Sequence, residues 1–258
     1  MISAKNIIYR NTASKKALIL AEVDTAEIDK GGVDGARELS KVINTFVADY
    51  FELKIQQDLQ RRHGSILSSE NLQIAVQNEI NQFKPNSVAM LSAAMPTRQE
   101  ILRSSKNIYE MFGAVKLASG NKATRSLSTG MGLLWERLAN LSPYTINPES
   151  EFGLKIVGID LIALNVTTRN IEYQQIKTQH NTLTGSQIPR SISELEIHDH
   201  PVFCACFSNK SNWTFRHPTI PRVSGTDFWG RIGIPYEVIL ANAQNLILEL
   251  EAEYTKLL

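Results

Sequence analysis

Several features that would define a class of protein by themselves are scarce in this sequence. The 258 residues include only two cysteines, Cys204 and Cys206, in the short segment PVFCACF. Two cysteines at this spacing make neither a disulfide framework nor a zinc site, so we interpret both as small buried side chains in a reducing cytoplasm. No apolar run reaches the roughly 18 residues of a membrane helix. Acidic residues directly follow the first apolar stretch, so we expect no secretory signal.

Motifs for nucleotide-driven chemistry are missing as well. The sequence has no GxxxxGK[ST] segment, so we expect no nucleotide cofactor. Its formal net charge is only +1, which demands no polyanionic partner. Basic side chains nevertheless outnumber acidic ones between residues 96 and 137. Such a distribution suits a cleft that faces a polyanion, and it is also common on ordinary surfaces.

The composition and the periodicity describe a folded protein with helices first and strands later. Apolar residues make up 43% and charged residues 21% of the chain, as in globular proteins. Helical spacing predicts helices over residues 36–60, 68–83, 96–113 and 121–142, and from 236 to the C-terminus. Pro85 is expected to end the second of them. Strand patterns predict strands near residues 154–166, 171–179, 201–207 and 212–216.

This order of elements indicates an α/β fold. We expect an α/β core preceded by a mainly helical N-terminal extension. The predicted division is a helical region over residues 1–120, for DNA binding or dimerisation, and a core with a C-terminal helix over residues 121–258.

One hairpin brings unusual side chains together. The segment GIDLIALNVTTRNIEYQQIKTQ, residues 158–179, has the pattern of two strands around a short polar turn. Because side chains alternate along a strand, Gln175 and Lys177 share one face of the second strand, while Ile176 points into the core. Asp160 stands at the mouth of the first strand and reaches them if the hairpin splays at its open end.

These groups form a candidate site for a hard cation. Asp160, the side-chain oxygen of Gln175, the backbone carbonyl of Ile176 and Glu136 on the preceding helix offer oxygen ligands, which suit Mg²⁺. Lys177 would lie beside a metal-bound water. Phosphodiester hydrolysis needs this combination, because positive charge stabilises both the hydroxide and the charge that builds on the phosphate. A strand-start aspartate and an edge lysine are the structural alternative.

The segment 158–179 resembles the hairpin of the PD-(D/E)XK nuclease superfamily, whose members of this size are most often type II restriction endonucleases. Asp160 matches the metal-ligand position, Gln175 the second acidic position and Lys177 the lysine. GMGLLWERLANLS resembles the first core helix, with Glu136 as an additional acid. The family order helix–strand–strand–strand–helix–strand fits much of the span 128–216. Gln175 departs from the pattern and leaves one negative charge out of the site.

The resemblance implies a restriction-endonuclease-like core, which is a mixed central sheet flanked by helices. It also implies a Mg²⁺-dependent, sequence-specific endonuclease that cuts double-stranded DNA as a homodimer in the cytoplasm of a prokaryotic cell. It implies catalytic roles for Asp160, Lys177, Gln175 and Glu136. The metal ligands would be Asp160, Glu136, Gln175 and Ile176. A repair, recombination or transposon-end nuclease with the same core, or a catalytically inactive DNA-binding module, remains an alternative.

The polar loop after Lys177, KTQHNTLTGSQIPRS, supplies candidate DNA contacts. We select Gln179, His180, Asn181 and Arg190, because amides read adenine and guanidinium groups read guanine in the major groove. A solvated loop explains the same composition equally well. Aromatic and basic residues also interleave in WTFRHPTIPRVSGTDFWGR, where we expect Trp213 and Trp229 to belong to the core.

Overall fold

The structure, a computed structural model, describes residues 2–23, 32–95 and 108–257. The chain forms two compact units. The first comprises Met1–Leu72 and Glu136–Tyr236, and the second comprises Gln73–Trp135 and Glu237–Leu258. The boundary predicted at residue 120 lies within the second unit, and the roles assigned to residues 1–120 and 121–258 stay predictions.

The first unit begins with short helices. They are α1 (Ala4–Ile7), α2 (Thr12–Leu20), α3 (Gly32–Asn44) and α4 (Val47–Leu59). The prediction of a single helix over residues 36–60 is wrong, because the helix is interrupted between α3 and α4. The Thr45 hydroxyl donates to the Val42 carbonyl at 2.7 Å, and Phe46 leaves the helical conformation at φ −135°. Phe46 is buried, so packing of its ring outweighs the helical periodicity.

The next helices are α5 (Ser69–Ala93), α6 (Ile108–Met111) and α7 (Val115–Ala139). The helix end predicted at Pro85 is wrong, since α5 continues through it. The Ser87 hydroxyl donates to the Phe83 carbonyl at 3.2 Å, and Phe83 and Leu91 are buried on either side of the proline. Continuous burial therefore outweighs the lost backbone bond. Residues 96–107 of the helix predicted over 96–113 lie outside the described residues.

The first unit contains a five-stranded mixed sheet in the order β1-β2-β3-β4-β5. The strands are β1 (Thr145–Ile146), β2 (Leu161–Leu164), β3 (Ile171–Gln179), β4 (Pro201–Phe207) and β5 (Arg222–Ser224). Neighbours are antiparallel from β1 to β3 and parallel from β3 to β5. The remaining helices are α8 (Pro148–Phe152), α9 (Ile188–Leu195), α10 (Thr226–Arg231) and α11 (Tyr236–Leu257). The prediction of an α/β fold with helices around a mixed sheet is confirmed.

Two strand predictions need correction. The strand predicted over 154–166 is confined to Leu161–Leu164, because Gly158 takes φ +78° and interrupts the extended run. The strand predicted over 212–216 is wrong. Phe215 there is buried and stacks on Phe203 with ring centroids 4.2 Å apart, so its apolar character reflects core packing.

The β2–β3 hairpin has a well-defined register. Leu161 lies opposite Gln174 and Leu164 opposite Ile171. The connecting turn is organised by Asn165, whose side-chain oxygen accepts from the N–H groups of Thr167 and Thr168 at 2.9 and 3.1 Å. Register decides which side chains share a face of the sheet. Continuing it by one residue places Asp160 opposite Gln175.

Buried aromatic and sulfur side chains fill the centre of the first unit. Cys204 and Cys206 are buried and free, as predicted. Trp229 is fully buried and donates to the Cys206 carbonyl at 2.8 Å, which confirms its core position. Trp213 is half-buried and meets the Phe203 ring edge-on at 6.1 Å.

The second unit is helical in its described residues. Ile80, Phe83, Leu246 and Leu250, which belong to this unit, are buried. Polar links join its two stretches: Lys84 pairs with Glu249 at 2.7 Å, and the amides of Gln73 and Asn242 exchange hydrogen bonds of 3.4 and 3.3 Å. No helix within the described ranges is long and apolar enough to cross a membrane.

Candidate active site

The site is organised around the open end of the β2–β3 hairpin. The Asp160 N–H donates to the Gln174 carbonyl at 2.9 Å, one residue beyond the last β2 pair. Its carboxylate then accepts from the Ile176 N–H at 2.6 Å. The Asp160 side chain thus takes the position that a backbone acceptor of β2 would fill in a longer hairpin. It is held against β3 beside Gln175 and Lys177.

The Ile176 carbonyl points to the side of β3 on which the Asp160 carboxylate lies. In an extended strand the N–H and the C=O of one residue point to the same side. Since the Ile176 N–H reaches Asp160, its carbonyl also lies on the Asp160 side of β3, beyond the last β2–β3 pair. The Ile176 carbonyl and the Asp160 carboxylate, which the sequence predicts as two of the metal ligands, therefore lie on the same side of β3.

Glu136 reaches the site from the C-terminal turn of α7, and Asn147 ties this turn to Asp160. The Asn140 side chain, one helical turn after Glu136, accepts from the Asn147 N–H at 3.0 Å. The Asn147 amide in turn donates to the Asp160 carbonyl at 3.1 Å. A chain of side-chain bonds therefore fixes the end of α7 next to the start of β2.

The charges of the site act on one another. Burial, followed by the charge of Asp160, raises the pKa of the Glu136 carboxyl to about 7, against the opposing effect of the Lys177 ammonium. Burial also raises the pKa of Asp160, and the Lys177 ammonium opposes that rise. Two carboxyls that lose hydration in this way gain from added positive charge nearby. Glu136, Asp160 and Lys177 thus form one electrostatic cluster.

A cavity of about 370 Å³ borders the Gln175 and Lys177 side chains of β3, and its lining includes neither Asp160 nor Glu136. Its polar lining includes Gln175, Lys177, Gln187, Arg190, Ser191 and Glu194. The Gln175 amide nitrogen donates to the Glu194 carboxylate at 3.4 Å. Its oxygen is buried and accepts no hydrogen bond from the residues that the structure describes. A buried acceptor without a donor suits a cation, so the Gln175 oxygen fits the predicted ligand set.

The predicted set of metal ligands contains few carboxylates. Across residues 2–23, 32–95 and 108–257, no group of three or more His, Cys, Asp and Glu side chains is arranged to hold a metal ion. The set proposed from the sequence draws on only two carboxylates, Asp160 and Glu136. Its other oxygens belong to the Gln175 amide and the Ile176 backbone.

The candidate DNA contacts lie in different environments. Asn181 and Arg190 are exposed, and the Arg190 guanidinium pairs with Glu194 at 2.7 Å. Gln179 is exposed and accepts from the Asn209 amide at 2.8 Å. His180 is buried and stacks on Trp213 with ring centroids 4.5 Å apart, so its ring packs inside the protein.

Two residues of the site were missed by sequence reasoning. Glu194 lies on α9, nineteen positions after Gln175, and no local pattern links them. Asn147 was missed because its contribution is a pair of amide bonds to Asn140 and Asp160. The only signal for Asn147 was its position before Pro148, where it caps α8 by accepting from the Ser150 N–H at 2.9 Å.

The raised pKa of Glu136 predicts a pH-dependent stability. An acid whose pKa is higher in the folded state binds more protons when folded, so it lowers the free energy of unfolding as pH rises from 4.5 to about 7. We expect the free energy of unfolding of Glu136→Gln to rise relative to that of the parent as pH increases. The difference should grow by about 1–2 kcal/mol between pH 5 and pH 8. Urea unfolding in EDTA, with Glu251→Gln as an exposed-acid control, measures this. A difference that stays constant with pH would contradict it.

The comparisons with known proteins give no family. No protein-family model matches the chain, and no curated protein sequence matches it.

Proposed function

We propose that the protein is a Mg²⁺-dependent endonuclease that hydrolyses double-stranded DNA at specific sequences, in the manner of a type II restriction enzyme. The observation that carries this proposal is the position of Asp160 at the hairpin end. Its carboxylate bonds the Ile176 N–H at 2.6 Å, between the two residues that match the nuclease motif on β3, Gln175 and Lys177. Burial raises the pKa of this half-buried carboxyl, so a cation bound beside it would stabilise its charged form.

The order of elements supports the same proposal. From α7 the chain continues through β1, β2, β3, α9 and β4, with the short α8 inserted after β1. Apart from α8, this is the helix–strand–strand–strand–helix–strand order that the resemblance implies. The candidate residues also fall at the corresponding places. Glu136 lies on the first helix, Asp160 at the second strand, and Gln175 and Lys177 on the third.

The side chains divide the work in this proposal. Asp160 and Glu136 would hold the cation, with the oxygens of Gln175 and Ile176 completing the protein ligands. When bound, Mg²⁺ would lower the pKa of a coordinated water and neutralise charge on the scissile phosphate. Lys177 would donate a hydrogen bond to the attacking water and place a positive charge beside the phosphate. Arg190 and Asn181, both exposed, would contact DNA near this cavity.

The second unit supports the dimer part of the proposal. Among the described residues, the large apolar side chains that are exposed fall in this unit, apart from Tyr9 and Leu59. They include Ile108, Met111, Phe112, Leu117, Leu133 and Leu248. Concentrated apolar surface of this kind is typical of protein–protein contacts. A second copy bound through it would supply the second active site that cleavage of both strands requires.

The test is incubation of the protein with unmethylated supercoiled plasmid of known sequence and Mg²⁺. We expect discrete fragments, with linear product formed without accumulation of nicked circles, because a dimer cuts both strands. EDTA should abolish cleavage, and Ca²⁺ should permit binding without cleavage. Smearing or structure-dependent nicking would favour a repair or recombination nuclease instead. A mobility shift with no cleavage under any divalent cation would replace the proposal with an inactive DNA-binding module.

A further inference from the structure

We infer that Glu194 is a positioning residue that orients the Gln175 carboxamide so that its oxygen, and not its nitrogen, faces the cation. The inference rests on the metal site of the proposed function and adds a residue from a separate element, α9. Three observations carry it: the contact between the two side chains, the way Glu194 is fixed, and the unpaired oxygen of Gln175.

The orientation of the carboxamide follows from its contact with Glu194. A carboxylate accepts hydrogen bonds, so only the NH₂ end of the amide is a suitable partner for it. Gln175 donates this end to Glu194 at 3.4 Å. The opposite end, Oε1, is therefore directed away from Glu194, and it has no donor among the described residues.

Glu194 is itself fixed from several sides. Its side chain is buried, and its other carboxylate oxygen accepts from the Arg190 guanidinium at 2.7 Å. The backbone of Gly158 packs so closely against it that a Cβ at Gly158 would lie 2.4 Å from the Glu194 Cβ. Gly158 has φ +78°, which also favours glycine. The Glu194 side chain is thus held between Arg190 of the same helix and the loop that leads into Asp160.

The chemistry explains why such an anchor is needed here. A glutamate at position 175 would offer an oxygen to the cation in either orientation of its carboxylate. A glutamine offers an oxygen in one orientation and an NH₂ group, which repels a cation, in the other. Replacing the acid with glutamine therefore makes the ligand dependent on a partner that selects the orientation. Glu194 is that partner, in the way that groups behind metal ligands commonly orient them.

The experiment measures Mn²⁺ binding to the DNA-free protein by calorimetry, with Mn²⁺ as the probe for the Mg²⁺ site. Glu194→Gln is made in three backgrounds: the parent, Gln175→Ala and Gln175→Glu. We expect it to weaken Mn²⁺ affinity about tenfold in the parent. In the other two backgrounds we expect a change of less than about twofold, because alanine has no ligand and glutamate needs no orientation.

Glu196→Gln is the matched control, since Glu196 lies next to the end of the same helix and pairs with His217 at 3.0 Å. It should leave Mn²⁺ affinity unchanged in every background. The Gln175→Glu background also shows that Glu194→Gln is folded, because the double variant should bind Mn²⁺ normally.

The outcomes separate this inference from the proposed function. Equal loss in all three backgrounds would mean that Glu194 acts by its own charge and would overturn the inference, as would no loss in the parent. If the parent binds no Mn²⁺, the metal site and the inference fall together. If the expected pattern appears while plasmid DNA stays intact, the inference stands and the nuclease assignment falls.

Discussion

Lys177→Met should slow DNA cleavage by about 10²-fold or more while DNA affinity changes little. Methionine keeps most of the length of the side chain and removes its charge. The substitution removes two effects of the Lys177 ammonium. It would orient the attacking water, and it lowers the pKa of both Glu136 and Asp160. Without it both carboxyls hold their protons to higher pH, so the variant should also need more Mg²⁺ at neutral pH.

Single-turnover cleavage at several pH values separates the two effects of Lys177. Loss of carboxylate ionisation alone would be recovered at high pH and high Mg²⁺, whereas loss of the water contact would persist. Lys155→Met is the matched control, because Lys155 is exposed and also lowers the pKa of Asp160, but lies outside β3. We expect it to cleave at nearly the parent rate. Parent-like cleavage by Lys177→Met would remove the assigned role.

The hairpin was predictable because its determinants are local. Alternation along residues 171–179 places Gln175 and Lys177 on one face, and β3 has the predicted bounds, Ile171–Gln179. The sequence predicted that Asp160 would reach Gln175 and Lys177 if the hairpin splayed at its open end, but the Asp160 N–H still pairs with the Gln174 carbonyl at 2.9 Å. The structure adds the physical cause: Gly158 at φ +78° interrupts the strand, so the Asp160 side chain is the acceptor for Ile176.

The rest of the site depends on contacts that no local pattern encodes. In the sequence Glu194 is an ordinary charged residue of an amphipathic helix. In the structure its side chain is directed inward and contacts Gln175 and Gly158. His180 lies in a segment with the composition of a polar loop, yet its ring stacks on Trp213. In both cases tertiary packing decides whether the side chain is buried, and the local sequence pattern does not encode that packing. The same reason explains the strand wrongly expected over 212–216, where aromatic side chains serve the core.

The carboxylates of the site also suggest that function and stability oppose each other here. Glu136 and Asp160 both have raised pKa values, with burial as the largest cause. Keeping them ionised at neutral pH therefore lowers the stability of the metal-free protein. Sites that concentrate charge for a ligand commonly show this trade-off, and binding of the ligand reverses it.

Asp160→Asn should therefore have opposite effects on stability and on activity. Asparagine keeps an oxygen that can accept from the Ile176 N–H, so the hairpin end is preserved. It removes a half-buried charge whose pKa burial raises, so the metal-free variant should be more stable than the parent at pH 7 and should melt at a higher temperature. A raised pKa makes this gain grow as pH rises above 3.8. Cleavage should fall by about 10³-fold, because a principal ligand of the cation is lost.

Thermal melts with and without Mg²⁺, combined with plasmid cleavage, test both halves of this prediction. The parent should gain melting temperature on addition of Mg²⁺, and Asp160→Asn should gain almost none. Asp227→Asn, at an exposed acid on α10, is the control and should melt and cleave like the parent. A variant that is both less stable and inactive would show that Asp160 mainly holds the hairpin together. A variant that is more stable and still cleaves would remove Asp160 from the metal site.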